Sequence, residues 1–122
     1  MNDAWNQGLM KHLGIRIVET TPERVVGELE VRDELKTVGP AVHGGTLMAF
    51  ADTIGAVGTA ALGFKTATLE SKTNFFAAAT AGRLRAEATP LHKGKRSHVW
   101  QTRVTDESGR LLSLTIQTQM IL

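Results

Sequence analysis

The residues best suited to chemistry are the segment Val42-His43-Gly44-Gly45-Thr46 and a nearby carboxylate, Asp52. A helix that begins at this segment would present unpaired N–H donors and the positive end of its dipole. Glycines at such an end leave no side chain in the way, so a substrate oxygen can approach the amides closely. Donors placed in this manner stabilise an oxyanion during acyl transfer. The segment therefore predicts an oxyanion site at a helix N-terminus.

Asp52 is the one charged residue between Gly44 and Phe64. A carboxylate in such an apolar helix is costly unless it has partners or a role. It lies eight residues after Gly44, which is about 12 Å along a helix axis. The two groups therefore cannot act on one carbon atom from the same helix. They can do so if antiparallel helices of two subunits lie side by side, so the spacing predicts a composite site at a subunit interface.

The helix that carries Asp52 follows from hydrophobic periodicity. Apolar residues between Thr46 and Leu62 recur at helical spacing and predict the one long helix. Asp52 falls about 140° from the centre of the apolar stripe, on a flank with Met48, Gly55 and Thr59. That flank has no lysine or glutamate of the kind that solvent-facing helices carry. We therefore expect the helix to be buried against its own sheet and against another subunit.

The other elements are mainly strands. The predicted order is a helix over 3–13 closed by Gly14, strands over 15–20 and 25–31, a loop over 33–42, the long helix, and strands over 66–76, 83–88, 97–105 and 111–122. Successive strands with short connections pair antiparallel. The pattern predicts the α+β class, with one antiparallel sheet and a central helix. A chain of 122 residues favours a single domain, 1–122.

Composition excludes several classes of function. Without cysteine there is no cysteine nucleophile, disulfide framework or iron–sulfur cluster, and the four histidines lack the i, i+4 spacing of a helical metal site. We therefore predict no metal and no cofactor. A formal net charge of +2 is small for a nucleic-acid-binding protein. The N-terminus shows no signal peptide, and five glycines and an aspartate within 44–64 argue against a membrane helix, so we expect a cytoplasmic protein.

Three segments together carry a family resemblance. They are His43-Gly44-Gly45 with Asp52 nine residues after the histidine, Thr73-Asn74-Phe75-Phe76-Ala77-Ala78-Ala79, and Leu91-His92-Lys93-Gly94-Lys95-Arg96. The chain from about Leu13 onwards resembles the hot-dog-fold acyl-CoA thioesterases of the phenylacetate-degradation and 4-hydroxybenzoyl-CoA type. The resemblance implies the hot-dog fold, with the sheet wrapped around the helix, and hydrolysis of a small acyl-CoA thioester.

The resemblance also implies roles for individual residues. The N–H of Gly44 would polarise the thioester carbonyl, with Gly45 beside it in the substrate-binding loop. Asp52 of the facing subunit would be the nucleophile or the general base for water. Thr68, on the strand after the helix, would help to hold that water. Relatives often have asparagine or glutamine where this chain has Thr37, so this shorter hydroxyl would take the place of an amide in binding the substrate.

Other residues have two interpretations each. His43 is either a general base or the residue that locks the start of the helix through ring hydrogen bonds. Lys93, Lys95 and Arg96 either contact the phosphates of coenzyme A or form a solvated hairpin tip. Phe75 belongs either to the core or to the acyl pocket, where an aromatic ring would fit an aromatic or medium-length acyl group.

Two alternative functions stay open on the same fold. One is a non-catalytic acyl-CoA sensor, which would have no use for the acid at Asp52. The other is a hydratase or dehydratase with His43 as base and Asp52 assisting, although its usual motif differs from His-Gly-Gly. In every case we expect an acyl-CoA ligand, no nucleic-acid or membrane partner, and a homo-oligomer, either a dimer or a homotetramer built as a dimer of dimers.

Overall fold

A computed structural model describes residues 5–122. Its elements are α1 (Gly8–Leu13), β1 (Arg16–Thr21), β2 (Arg24–Glu30), a 3-10 helix (Asp33–Leu35), α2 (Gly44–Ala60), β3 (Thr66–Phe75), β4 (Arg83–Lys93), β5 (Ser97–Thr105) and β6 (Leu111–Ile121). The six strands form one antiparallel sheet in the order β1-β2-β4-β5-β6-β3. The sheet wraps around α2, which contacts every strand. The predicted α+β class and the central helix are confirmed.

The core lies between the inner face of the sheet and one side of α2. Phe50 and Ile54 of α2 are fully buried in one apolar cluster with Leu29, Leu84 and Trp100 of the sheet. Removing this apolar surface from water is the main stabilising contribution to such a fold. Because this side of α2 packs on the sheet, the rotation of the helix about its axis is fixed, and so is the set of side chains on the opposite side.

The helix boundaries differ from the predicted ones by a few residues. α2 begins at Gly44, two residues before the predicted start, and ends at Ala60. α1 begins only at Gly8, because Gln7 is extended, and Leu9 is exposed while Met10 and Leu13 are buried. The predicted helical residues 3 and 4 lie outside the described residues. No helix within residues 5–122 is long and apolar enough to cross a membrane.

β4 runs past Pro90 to Lys93, whereas the sequence predicted that it would end at Ala88. Proline cannot donate a ladder hydrogen bond and is normally confined to strand edges or bulges. The pairing of β4 with β5 shifts register between Pro90 and His92, so the irregularity accommodates the proline and the strand resumes. The extension carries the basic turn that follows Lys93 to the end of the sheet.

The flank of α2 that carries Asp52 is divided differently from the prediction. Gly55 and Thr59, which share the flank with Asp52, are buried against the sheet, whereas Asp52 itself is only partly buried. The face that the sheet leaves uncovered consists of small or uncharged residues around the aspartate, namely Gly45, Met48, Ala49, Thr53, Ala56 and Ala60. Next to it, β3 is the outermost strand of the sheet and is largely exposed. Trp5 and Met10 of the N-terminal segment lie beside part of this face. The outer edge of β3 has no strand partner within residues 5–122.

A buried polar cluster holds the C-terminal half of α2 to the sheet. The indole N–H of Trp100 donates to Thr59 Oγ1 at 2.9 Å, and Thr59 Oγ1 lies 3.0 Å from Nδ1 of His98. The hydroxyl of Thr59 therefore links the indole of Trp100 and the imidazole of His98 in one buried hydrogen-bond network. The edge of Phe64 also packs on the His98 ring.

Stability should therefore depend on pH through His98. Burial lowers the pKa of His98 below its usual value of 6.5, and the nearby charges of Lys93 and His92 lower it further. Below about pH 6.5 the unfolded chain binds more protons at this residue than the folded chain, so stability falls as pH falls. We expect the melting temperature of the wild type to drop more between about pH 7.5 and pH 5.5 than that of His98→Gln.

The control for this experiment is His12→Gln, which changes an exposed histidine and should keep the pH dependence of the wild type. Differential scanning fluorimetry at the two pH values gives the comparison. If the His98→Gln protein loses as much stability on acidification as the wild type, proton binding at His98 does not contribute.

Candidate active site

The N-terminus of α2 leaves one N–H group open. His43 precedes the helix in an extended conformation, and its Nδ1 accepts a hydrogen bond of 2.7 Å from the N–H of Gly45. The carbonyl of His43 accepts from the N–H groups of Thr46 and Leu47. The N–H of Gly44 meets no acceptor within residues 5–122. An oxyanion at this helix end would therefore meet the Gly44 amide.

His43 occupies the loop-locking position that we considered for it. A neutral imidazole has one ring lone pair available for a proton, and in His43 it points at the N–H of Gly45. A general base at this residue would have to break that capping bond. The His-Gly-Gly segment thus has a structural reason for its histidine that is separate from any proton transfer.

A pocket of about 390 Å³ opens beside the Gly44 amide, between the start of α2 and residues 75–79. The ring of Phe75 lies over Gly44, since a Cβ at residue 44 would be 3.2 Å from its Cζ. Phe75 and Phe76 are both about half exposed and so are not core residues. A carbonyl bound to the Gly44 amide would lie next to the Phe75 ring.

Asp52 lies on the uncovered face of α2, with one oxygen of its carboxylate bonded to the sheet. Its Oδ1 accepts hydrogen bonds from Oγ1 of Thr68 at 2.7 Å and from Nε2 of Gln117 at 3.1 Å. Within residues 5–122, Oδ2 has no hydrogen-bond partner and no lysine or arginine pairs with the carboxylate. Asp33, by contrast, pairs with Lys36 at 3.2 Å. The carboxylate of Asp52 is therefore half-buried, is held by neutral donors through one oxygen, and keeps the other oxygen open.

Two buried glutamines of β6 complete the surroundings of Asp52. Gln117 also donates to the backbone carbonyl of Asp52 at 3.1 Å. It fits against the helix because Gly55 lies opposite, where a Cβ would be 2.4 Å from its Oε1. Gln119 donates from Nε2 to Oγ1 of Thr68 at 2.7 Å. Gln117 is 1% exposed and Gln119 is 0% exposed, so neither amide is solvated.

A second pocket, of about 460 Å³, opens beside Asp52. Its walls are mainly apolar and come from the N-terminal segment and α2, with Trp5, Met10, Ala56 and Ala60 among them. Gly44 does not line this pocket, and Asp52 does not line the pocket at Gly44. Each chain therefore carries the two expected reacting groups in separate pockets, as the spacing along the helix predicts.

Three cationic side chains lie at the junction of β4 and β5: Lys93, the last residue of β4, and Lys95 and Arg96 in the turn that follows. Only Lys93 has partners among the described residues. Nζ of Lys93 donates to the carbonyl of Pro22 at 2.5 Å and lies 3.8 Å from the carboxylate of Glu23. Lys95 and Arg96 are exposed, and their side chains have no ion pair or hydrogen bond within residues 5–122. Only the latter two are available to a ligand without losing a contact.

Thr37 lies exposed in the loop before α2. Its N–H donates to the carbonyl of Ala41 at 2.9 Å, which closes the turn that leads to the helix. Its hydroxyl forms no hydrogen bond within residues 5–122. In the same part of the chain, no group of three or more histidine, cysteine, aspartate or glutamate residues is arranged to hold a metal ion.

Sequence reasoning missed the glutamines and Trp5. The available signal was the alternation along β6, which places Gln117 and Gln119 on one face of the strand two residues apart. Alternation alone did not tell which face of β6 meets the helix. Nothing in the sequence indicated that Trp5, far from Asp52 in the chain, would share a pocket with it.

A family model described as the Thioesterase superfamily matches residues 39–113. The match includes Gly44, Asp52 and Thr68. A curated relative, the 1,4-dihydroxy-2-naphthoyl-CoA hydrolase of Listeria monocytogenes, is 32% identical over 114 residues, which cover 88% of this chain and 90% of that protein.

Solved structures share the architecture. A thioesterase from Staphylococcus aureus is 28% identical, with a TM-score of 0.90 over 93% of this chain and 97% of that chain. A hypothetical thioesterase from Streptococcus pneumoniae, solved with coenzyme A, is 22% identical, with a TM-score of 0.85 over 93% of this chain and 96% of that chain. The hot-dog fold expected from the resemblance is confirmed.

Proposed function

The chain belongs to the thioesterase superfamily and is an acyl-CoA thioesterase, and we propose that the carboxylate of Asp52 is its reacting group. The substrate is a small acyl-CoA, whose thioester carbonyl is polarised by the Gly44 N–H of the partner subunit. The products are the free acid and coenzyme A. The coenzyme A in the Streptococcus pneumoniae structure supports the choice of carrier.

The observation that carries this proposal is the state of the Asp52 carboxylate. It has no cationic partner within residues 5–122, its Oδ1 is held by two neutral donors, and its Oδ2 is open beside an apolar pocket. A carboxylate that served only stability would be expected to pair with a cation or to have both oxygens hydrogen-bonded.

Two routes are open to this carboxylate. As a nucleophile, it attacks the thioester carbon, the C–S bond breaks with departure of the thiolate, and water then cleaves the mixed anhydride to restore Asp52. As a general base, it takes a proton from water while the water oxygen attacks the same carbon; the C–S bond then breaks, and the departing thiolate takes up the proton from Asp52 or from solvent. Both routes pass through an oxyanion at the carbonyl oxygen, where the Gly44 amide is worth most.

The site is shared between subunits in this proposal. The uncovered face of α2 carries Asp52 as its one charge within residues 5–122, so a second copy of the same face would bury little else that is charged. β3 offers ten residues of unpaired strand edge beside it, and natural proteins rarely leave such an edge open. Antiparallel packing of two α2 helices brings the Asp52 of one chain towards the Gly44 of the other.

The acyl group is proposed to occupy the apolar pocket beside Asp52. Trp5 and Met10 form one wall and Ala56 and Ala60 the other, which suits a flat aromatic or medium-length acyl group. The Listeria monocytogenes relative is named for an aromatic substrate, a naphthoyl-CoA. Larger side chains than alanine at residues 56 and 60 would shorten the pocket.

The proposal is tested by thiol release over a panel of aromatic and straight-chain acyl-CoAs. We expect turnover of at least one small acyl-CoA, with aromatic groups favoured over long chains. Binding of acyl-CoAs without release of thiol from any of them would contradict the proposal and favour a sensor.

Lys95 and Arg96 are proposed to contact the phosphates of coenzyme A. The Lys95→Ala, Arg96→Ala double variant should raise KM about tenfold and leave kcat nearly unchanged, because the contact is the same in ground and transition states. High salt should shrink the difference, since exposed charges are screened beyond about 8 Å at physiological ionic strength. Adding Lys93→Ala tests the full set of three cations.

The control substrate is the same acyl group on a short uncharged thiol. If these cations contact the phosphates, KM should rise for the CoA substrate only. The control variant Lys11→Ala, which changes an exposed lysine elsewhere, should leave KM unchanged for both substrates. An equal loss on both substrates would mean that the turn supports structure. No loss on either would leave it as a solvated hairpin tip.

A further inference from the structure

We propose that the buried amide of Gln119 is a positioning residue, which acts through Thr68 to hold Oδ1 of Asp52 so that Oδ2 is the oxygen that reacts. The inference rests on the proposed function of Asp52 and adds the residues that orient its carboxylate. The contacts form a chain from Thr66 to Gln119, from Gln119 to Thr68, and from Thr68 to Asp52.

The chemistry of Asp52 sets the direction of every bond in this chain. An ionised carboxylate only accepts hydrogen bonds, so Thr68 must donate its single hydroxyl proton to Oδ1. Oγ1 of Thr68 can then only accept from Gln119, which requires the Nε2 end of that amide at 2.7 Å. Oε1 of Gln119 is left to accept from Thr66 at 2.9 Å.

The reverse orientation of the Gln119 amide would disable the chain. Its Oε1 would face Thr68 and take the hydroxyl proton, which would leave a lone pair of Thr68 pointing at the carboxylate. Thr66 favours the observed orientation when its one hydroxyl proton goes to Oε1 at 2.9 Å; the carbonyl of Met120, at 3.0 Å, is a second acceptor for the same proton. A fully buried amide with both ends engaged cannot exchange its partners for water.

The result is an unequal treatment of the two carboxylate oxygens. Oδ1 accepts one hydrogen bond from Thr68 and one from Gln117, while Oδ2 accepts none within residues 5–122. Two donors on one oxygen fix the plane of the carboxylate and present the other oxygen to the pocket. The glutamines therefore serve the reaction by orientation and need not touch the substrate.

The main test is Gln119→Met, which keeps the length of the side chain and removes the donor. We expect kcat to fall about 10- to 100-fold, the range for losing one hydrogen bond in a network to a charged group. KM and the oligomeric state should stay close to wild type. Gln101→Met on β5, where the glutamine has no part in this network, is the matched control and should keep full kcat.

A double-mutant cycle distinguishes positioning from a general loss of structure. Because Gln119 acts only through Thr68, the protein with Thr68→Val and Gln119→Met together should have the kcat of Thr68→Val alone. Losses that multiply in the double variant would overturn the proposal, as would a wild-type kcat for Gln119→Met.

Should Gln119→Met fail to assemble, Thr66→Val releases the same amide from a partly buried position. It should lower kcat in the wild-type background and have no effect in the Thr68→Val background, and an unchanged kcat in the wild-type background would overturn the proposal. Full activity of Asp52→Asn would refute the proposed function itself. An inactive Asp52→Asn beside a fully active Gln119→Met would refute the positioning role alone.

Discussion

Replacing Asp52 with asparagine should abolish most turnover and leave the fold intact. The asparagine Oδ1 can still accept from Thr68 and Gln117, so the network that holds the side chain survives. Only Oδ2 is exchanged, for an amide nitrogen that can neither attack a carbonyl nor accept a proton. Groups that transfer protons contribute about 10²- to 10⁴-fold. We expect kcat for the best acyl-CoA to fall within that range.

The matched control is Asp33→Asn, which changes an exposed aspartate outside the site and should keep full activity. Circular dichroism and sedimentation of both variants check fold and assembly. If Asp52→Asn keeps near-wild-type thiol release, Asp52 is structural and another group must activate the attack on the thioester.

The central helix was predictable because its apolar residues are strictly periodic. Phe50 and Ile54 lie in the core as the spacing requires, and the observed start at Gly44 moves the glycine amide to the very end of the helix. The sequence also predicted Gly44 and Asp52 as site residues, from their types and from their places in an apolar helix. Those predictions depend on local pattern and on the cost of a carboxylate in an apolar segment, both of which a single sequence shows.

The surroundings of Asp52 were not predictable, because they depend on which face of β6 meets the helix. Alternation normally turns the apolar set of a strand inward. In β6 the inward residues include Gln117 and Gln119, while Ile116 and Met120 lie on the outer face and are more than a third exposed. Two polar side chains can lie on the inner face of β6 because Gln117 bonds to α2 and Gln119 bonds to β3. Only the folded arrangement shows these partners.

The sequence also did not show that the chain's own sheet buries part of the Asp52 flank, which we expected to meet another subunit. The helical wheel placed Gly55 and Thr59 beside Asp52, but a wheel does not show how far a sheet wraps around a helix. Here Gln117 reaches Gly55, and Trp100 donates to Thr59, so the sheet covers more of α2 than the apolar stripe alone. The uncovered face is correspondingly narrower than predicted.

If the site is shared between subunits, mixed dimers of two inactive variants, Asp52→Asn and Gly44→Pro, should be active. Gly44→Pro removes the N–H that would polarise the carbonyl, and proline is well tolerated at the first position of a helix. A Cβ at residue 44 lies 3.2 Å from Cζ of Phe75, so this half-exposed ring must shift by a few tenths of an ångström. The extended conformation of His43 suits a residue before proline, and the Gly44 N–H has no acceptor to lose within residues 5–122. Loss of one oxyanion donor should cost about 10²- to 10³-fold in kcat.

The decisive measurement is thiol release by Asp52→Asn and Gly44→Pro proteins, first separately and then after their subunits have been exchanged. A mixed dimer joins the intact Asp52 of one chain to the intact Gly44 of the other and so contains one working site. With random pairing, the mixture should recover about a quarter of wild-type activity. A mixture that forms mixed dimers yet stays as inactive as its two components would contradict a site shared between subunits.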